Sequence, residues 1–314
     1  MESRTPGRSV LIAFFLTVLF AGNNAIAVRF SNAELPPFFG AAIRFAIAGI
    51  ILFLIVLLWR LPLPRGRSLL GAVIYGVLGT GLNFALLYWA LEQLQAGLSM
   101  VILALVPLLT FIFACLHRQE KFRWQALFGS LLALSGIAII VWNRLSTSVP
   151  LLPILAVIGA AACFAESNVI IKNFPQSHPI TTNAIALSTG AVLLFLISTL
   201  WRETPTLPTL PATWGALIYL IIFGSVATFV LSVYVIKNWT ASASAYQFVL
   251  FPFITISVAA WLAHEAVSGV VLVGGALVLA GTYIGSIAKT EQLKSAWLRI
   301  FNRAKAPEPE CSEC

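Results

Sequence analysis

The sequence predicts an all-α integral membrane protein: ten transmembrane helices arranged as two inverted five-helix repeats. Three observations predict it. Hydrophobic residues make up 60% of the 314 residues and charged residues 10%, with a mean hydropathy of +0.95; a water-soluble domain carries about 25% charged residues. Ten segments hold the roughly 20 apolar residues that a helix needs to cross hydrocarbon. Finally, residues 94–142 align with residues 239–287 without a gap. Ala96 falls on Ala241, Pro107 on Pro252, Thr110 on Thr255, Glu120 on Glu265, Gly129 on Gly274 and Gly136 on Gly281.

The segments run 9–28, 36–58, 68–91, 96–116, 124–142, 151–171, 180–201, 213–236, 241–263 and 267–288. The first follows Arg4 and Arg8, and its Ala25-Ile26-Ala27 resembles a signal-peptide cleavage site. We read it instead as a retained helix, because residues 20–30 have a counterpart at 163–173 and cleavage would leave one repeat incomplete. Pro62 and Pro64 separate the second segment from the third, the cluster 117–123 separates the fourth from the fifth, and the Thr/Pro run 203–211 separates the seventh from the eighth. Trp59, Trp89, Trp124, Trp142, Trp201, Trp214, Trp239 and Trp261 all sit at segment ends, where an amphipathic ring prefers the headgroup layer. The repeats therefore occupy 9–143 and 150–288. The tail 289–314 is expected to begin as an amphipathic surface helix, with Leu293, Trp297 and Phe301 on one face, and to end in a disordered PEPECSEC.

Lys and Arg set the orientation. With the N-terminus inside, the cytoplasmic segments hold 15 of them and the outer loops hold Arg29, Arg144 and Arg202. That bias places both termini in the cytoplasm. Five helices per repeat is an odd number, so the second copy starts on the opposite side and the copies are inverted, an arrangement suited to alternating access around a midplane site. The expected location is the plasma membrane, the inner membrane of a bacterium. The basic residues are spread over short loops, which argues against a nucleic-acid partner. Cys115 and Cys163 lie in apolar runs and read as small hydrophobes. No cofactor motif, metal-ligand spacing or catalytic set is present, and His117, His178 and His264 are isolated in sequence near segment ends.

A charge at the bilayer centre costs about 2.5–3.5 kcal/mol on insertion scales, so Arg44 and Glu166, the two charges inside segments, are functional candidates. Arg44 has a second reading as an anchor on helix-one carbonyls or on Asn23 and Asn24. Glu166 could bind a substrate ammonium, carry a coupling proton, or make only a buried hydrogen bond. Neutral polar groups at depth include Asn23, Asn24, Asn83, Tyr88, Asn168, Thr228, Tyr234 and Gln247. Some of these would serve only as interhelical bonds; those on helices one, three, six, eight and nine are the better site residues. With Phe84, Tyr246 and Phe248 they would suit a ligand with an apolar body and one or two polar ends. Pro107 and Pro252 each remove a backbone hydrogen bond near mid-helix. Their equivalence favours paired hinges over fixed packing kinks. Gly129/Gly136 and Gly274/Gly281 mark a close helix approach away from the substrate path.

The blocks 96–136 and 241–281 resemble the EamA family of the drug/metabolite transporter superfamily. Each has small residues opening a span, a mid-helix proline, a loop glutamate and two glycines seven apart. Ala21-Gly22-Asn23 is similar to the family's first-helix element, with Ala21 where tryptophan is usual, and Arg44 matches an arginine typical of its second helix. The resemblance implies a ten-helix secondary transporter, often an exporter, of small organic metabolites such as amino acids, sugars, nucleotide precursors or drugs. The expected partners are a small-molecule substrate, membrane lipid and a coupling proton, in a monomer or homodimer. A membrane-embedded lipid-modifying enzyme and a non-transporting partner subunit are the competing readings; an enzyme would need an acid/base set near one interface, where the segments supply Glu166 alone.

Overall fold

Apolar composition dictates helices. The bilayer core holds no water to pair backbone amides, so each span must pair its own. The computed structural model describes residues 7–119, 151–175, 177–238, 241–262 and 269–284, with scattered positions between 124 and 139. Among the described residues there are helices and turns and no strand. Seven helical stretches among them are long and apolar enough to cross a membrane: Arg8–Ser31, Pro37–Leu58, Arg67–Leu91, Ala96–Leu116, Leu151–Ile171, Pro179–Leu200 and Pro211–Ser232. Shorter apolar helices, Leu250–Leu262 and Leu272–Gly281, fall in the segments expected at 241–263 and 267–288. Nine of the nineteen positions of segment 124–142, the tail 289–314, Glu120 and Glu265 lie outside the described residues.

Several spans are interrupted at depth. The first consists of α1 (Arg8–Gly22) and α2 (Asn24–Ser31), joined by a turn at Asn23. α3 (Pro37–Leu58) is continuous and opens on a proline, whose missing N–H would be unpaired there anyway. The third comprises α4 (Arg67–Tyr75), a π-helical stretch Gly76–Leu82 and α5 (Asn83–Leu91). The fourth breaks at Ala104–Leu105 between α6 (Ala96–Leu103) and α7 (Val106–Leu116). α8 (Leu151–Ile171) and α9 (Pro179–Leu200) are continuous. They are followed by α10 (Pro211–Ile221), a second π-helical stretch Ile222–Ala227 and α11 (Thr228–Asn238). α12 (Ala241–Leu262) and α13 (Gly269–Thr282) complete the order.

The two prolines expected as equivalents sit in different settings. Pro107 lies in the first turn of α7, just after a break, whereas Pro252 lies inside an unbroken α12. The π-helical stretches, by contrast, occur at matching places, since the 145-residue offset carries 76–82 onto 221–227. Side chains follow the wider π register: the Ser225 hydroxyl donates to Leu220 O (2.9 Å) and that of Thr228 to Phe223 O (2.7 Å), each five residues back.

Small residues let these helices approach closely. A Cβ on Gly76 would lie 2.6 Å from the Ala186 carbonyl oxygen, so the first π-helical stretch packs directly on the α9 backbone. A Cβ on Gly136 would meet Leu277 Cβ at 2.9 Å, and Gly281 faces Gly129 and Ala133. The paired glycines of the fifth and tenth segments therefore face each other within one chain. At one end of the bundle two loops exchange carboxylates. Glu203 accepts from the amides of Phe38 (3.1 Å) and Phe39 (2.8 Å), the otherwise unpaired first turn of α3. Glu34 accepts from the amides of Thr209 (3.1 Å) and Leu210 (2.9 Å), just ahead of α10, and from the Thr209 hydroxyl. Burial, and then the neighbouring Glu203 charge, push the Glu92 carboxyl above its ordinary range at the same end.

Candidate functional site

The site is built around one buried cation. α3 carries Arg44 about 10 Å along its axis from its N-terminal end, and the side chain is 1% exposed. Its Nε donates to Ser225 Oγ (3.0 Å), Nη1 to Tyr88 Oη (3.1 Å) and Nη2 to Gly224 O (3.0 Å). The guanidinium also lies over the rings of Phe45 (4.8 Å) and Phe84 (5.3 Å), which favours a cation by about 0.5–2 kcal/mol. Gly224 O belongs to the second π-helical stretch, where carbonyls lose their ordinary partners, and it also accepts from Asn24 Nδ2 (3.2 Å). A Cβ on Gly224 would lie 3.3 Å from Arg44 Nη2 and collide with Asn24. A side chain at this position would displace Asn24 where α2, α3 and this stretch converge.

Beside Arg44 lies a cavity of about 180 Å³. Thr17, Asn24 and Val28 line it from the first span, Tyr75, Gly79, Asn83, Phe84 and Leu87 from the third, and Met100, Leu103 and Val106 from the fourth. Phe164 of α8, Gly224, Thr228, Phe229 and Ser232 of the Pro211–Ser232 stretch, and Gln247 and Phe251 of α12 complete the wall. The 145-residue offset pairs Gly79 with Gly224, Asn83 with Thr228, Phe84 with Phe229, Leu87 with Ser232 and Val106 with Phe251. The two halves of the chain thus offer equivalent positions to one space. Its walls are mostly apolar, with polar atoms left over. Asn24 Oδ1, Asn83 Oδ1 and Gln247 Nε2 are buried without a protein partner, each an uncompensated cost unless a ligand or water meets it.

Of the residues singled out from sequence, Asn24, Arg44, Asn83, Thr228 and Gln247 come together on this cavity. Tyr88 stands behind it, fully buried and holding Arg44. Asn23 turns away: it lines a second, apolar groove with Ile26, Phe30, Ala216 and Tyr219, and its Nδ2 donates to Leu19 O (2.8 Å). Asn168 is half-buried off the cavity, and Tyr234 donates to Ser9 Oγ (3.1 Å). Glu166 is also elsewhere; its Oε1 lies 2.9 Å from His117 Nε2 at the C-terminal end of α7. Gln119 bridges the same junction through Val169 O (3.0 Å) and Asn173 Oδ1 (2.9 Å). The Tyr246 and Phe248 side chains lie outside the described residues.

Sequence reasoning missed the partners Ser225 and Gly224, the lining residues Thr17 and Tyr75, and the His117–Glu166 pair. The Gly79/Gly224 equivalence was the available signal for the first two; nothing local links residues 117 and 166. Among the described residues no cluster of side chains could hold a metal ion.

Comparison with known proteins agrees with this architecture. A solved crystal structure covers 88% of this chain and 97% of its own, with a TM-score of 0.62 at 20% identity, which shows a shared fold. The uncharacterized inner membrane transporter YedA of Escherichia coli K12 is 28% identical over 285 residues, 87% of this chain and 91% of that protein. A probable terminal-alkyne amino-acid exporter of Streptantibioticus cattleyicolor is 26% identical over 227 residues, covering 70% and 74%. The model of the EamA-like transporter family matches twice, over residues 8–142 and 151–287. This multi-pass membrane protein therefore belongs to the EamA-like transporter family.

Proposed function

We propose that the chain is a secondary active transporter that moves small, amphipathic organic metabolites outward across a bacterial inner membrane. Transport proceeds by alternating access. One observation carries this reading: equivalent residues from both family-matched halves line a single cavity with apolar walls and a few unpartnered polar atoms. Ten helices in two inverted halves can rock about such a site and expose it to one side at a time. The curated relatives are named as transporters, one of them as a probable amino-acid exporter, which supports the direction.

A coupling proton has a candidate carrier in Glu166, hydrogen-bonded to His117 across the two halves. Counterflow and net flux in proteoliposomes test both ideas. Purified protein should exchange a labelled substrate without other proteins, and an imposed pH gradient should drive accumulation. Glu166→Gln should retain counterflow but lose gradient-driven accumulation. Unchanged accumulation in that variant would remove Glu166 from coupling, and absence of any exchange would refute transport.

A further inference from the structure

The charge inventory around the cavity narrows what it can bind, if the transport reading holds. The chain has no aspartate. Glu166 is the glutamate inside a membrane segment, and it pairs with His117 away from the lining. Among the described residues the cavity is lined by one cation, Arg44, and by no anion. Arg44 is also unpaired with any carboxylate among them: its three donated bonds go to a hydroxyl, a phenol and a backbone carbonyl. A guanidinium has five N–H groups in a planar fork, so one on Nη1 and one on Nη2 are not engaged by these bonds.

We propose that the cavity selects a small monocarboxylate with an apolar body, its carboxylate seated on the two remaining N–H groups of Arg44. A buried positive charge without a counterion is costly, and a ligand of charge −1 removes that cost while meeting the fork with matched geometry. A cationic amine would add like charge. A zwitterion would leave the site with its excess charge and bring an ammonium that no carboxylate of the described lining meets. A phosphate monoester, near −2 at neutral pH, would overshoot. The volume sets the size: a cavity of about 150 Å³ holds one benzene, so about 180 Å³ takes one ring or branched chain with its carboxylate. Phe84, Phe229, Leu87, Met100 and Leu103 supply the apolar wall.

The test uses the purified full-length protein and a charge series on one ring: phenylacetate, phenylacetamide, 2-phenylethylamine, phenylalanine and phenyl phosphate. Binding is read by thermal stabilisation and competition. Phenylacetate should bind at least about tenfold tighter than the amide, since hydrogen bonds to a charged group are stronger than those to a neutral one. The amine should be weakest, with phenylalanine and phenyl phosphate in between. Arg44→Gln should erase the preference for carboxylate over amide, and Arg44→Lys should keep part of it. If Arg44→Gln does not fold, the wild-type series still decides. The subsite is overturned if the amide, amine, zwitterion or phosphate binds as tightly as the carboxylate. It is equally overturned if no carboxylate binds at millimolar concentration, or if Arg44→Gln keeps the preference. Carboxylate binding without flux would refute transport and leave the subsite; flux of amines in preference to carboxylates would refute the subsite and leave transport.

Discussion

At the scale of single residues, Gly224 decides whether the site can form. Its carbonyl serves Arg44 and Asn24 together, and a Cβ there would overlap the Asn24 amide and press on Arg44 Nη2. Gly224→Ala should insert into the membrane, lose about 1–3 kcal/mol of stability through overpacking, and exchange substrate at least about tenfold more slowly. Wild-type counterflow in that variant would show that the junction has slack. Glu34 makes a second residue-scale prediction. The Thr209 hydroxyl first, then the nearby Thr213 hydroxyl, and then the amides of Leu210 and Thr209 hold its carboxyl at about 2 against an ordinary 4.5. The folded value is depressed, so the contribution to stability is complete above pH 4.5, declines as the pH falls and is gone below about 2. Unfolding of Glu34→Gln in detergent should therefore depend less steeply on pH than the wild type between those limits. Identical slopes would mean that the loop clamp does not survive solubilisation.

At the scale of elements, interruptions locate the site. π-helical stretches concentrate at functional positions because they release carbonyls and widen the helix, and here both reach the cavity through Gly79 and Gly224. The prolines divide the work unequally. Pro107 occupies a first-turn position that tolerates proline, so Pro107→Ala should shift stability by less than about 1 kcal/mol. Pro252 interrupts the hydrogen bonding of a continuous helix. Pro252→Ala should stabilise the protein, by up to about 3 kcal/mol, and the double variant should slow turnover more than it weakens binding. Normal turnover in the double variant would assign both prolines to packing alone. The composition of each span was readable from sequence, and so were the two prolines. The π-helical stretches were not: a π turn differs from an α turn by one residue, and hydropathy does not register it. Gly76, Gly79 and Gly81 show their purpose only once Ala186, Ser167 and Leu193 are seen against them.

At the scale of the whole molecule, the test of inversion is topological. Fifteen Lys and Arg on one side against three on the other predict that both chain ends are cytoplasmic. A membrane-impermeant maleimide should therefore label Cys311, Cys314 and a cysteine introduced at Ser3 in inside-out vesicles and not in intact cells. Labelling of the two ends from opposite sides would rule out an even number of crossings, and the inverted arrangement with it.

The sequence by itself determined that this chain is helical and membrane-embedded, and that its halves are copies, because apolar length, the distribution of charge and a gapless internal alignment are local or additive properties. It also supplied Arg44, Asn24, Asn83, Thr228 and Gln247 as polar groups in an apolar setting, where a polar side chain needs a reason. Which of these meet, and which turn elsewhere, was decided by tertiary structure alone. Asn23 and Asn24 are neighbours in the chain, yet a turn between α1 and α2 sends them to different pockets. Glu166 and Arg44 are both charges within spans, but one finds His117 and the other a hydroxyl, a phenol and a backbone carbonyl. Partner choice depends on the direction a side chain takes from its helix and on what the facing helix offers there, and neither is written in the hydropathy of either one.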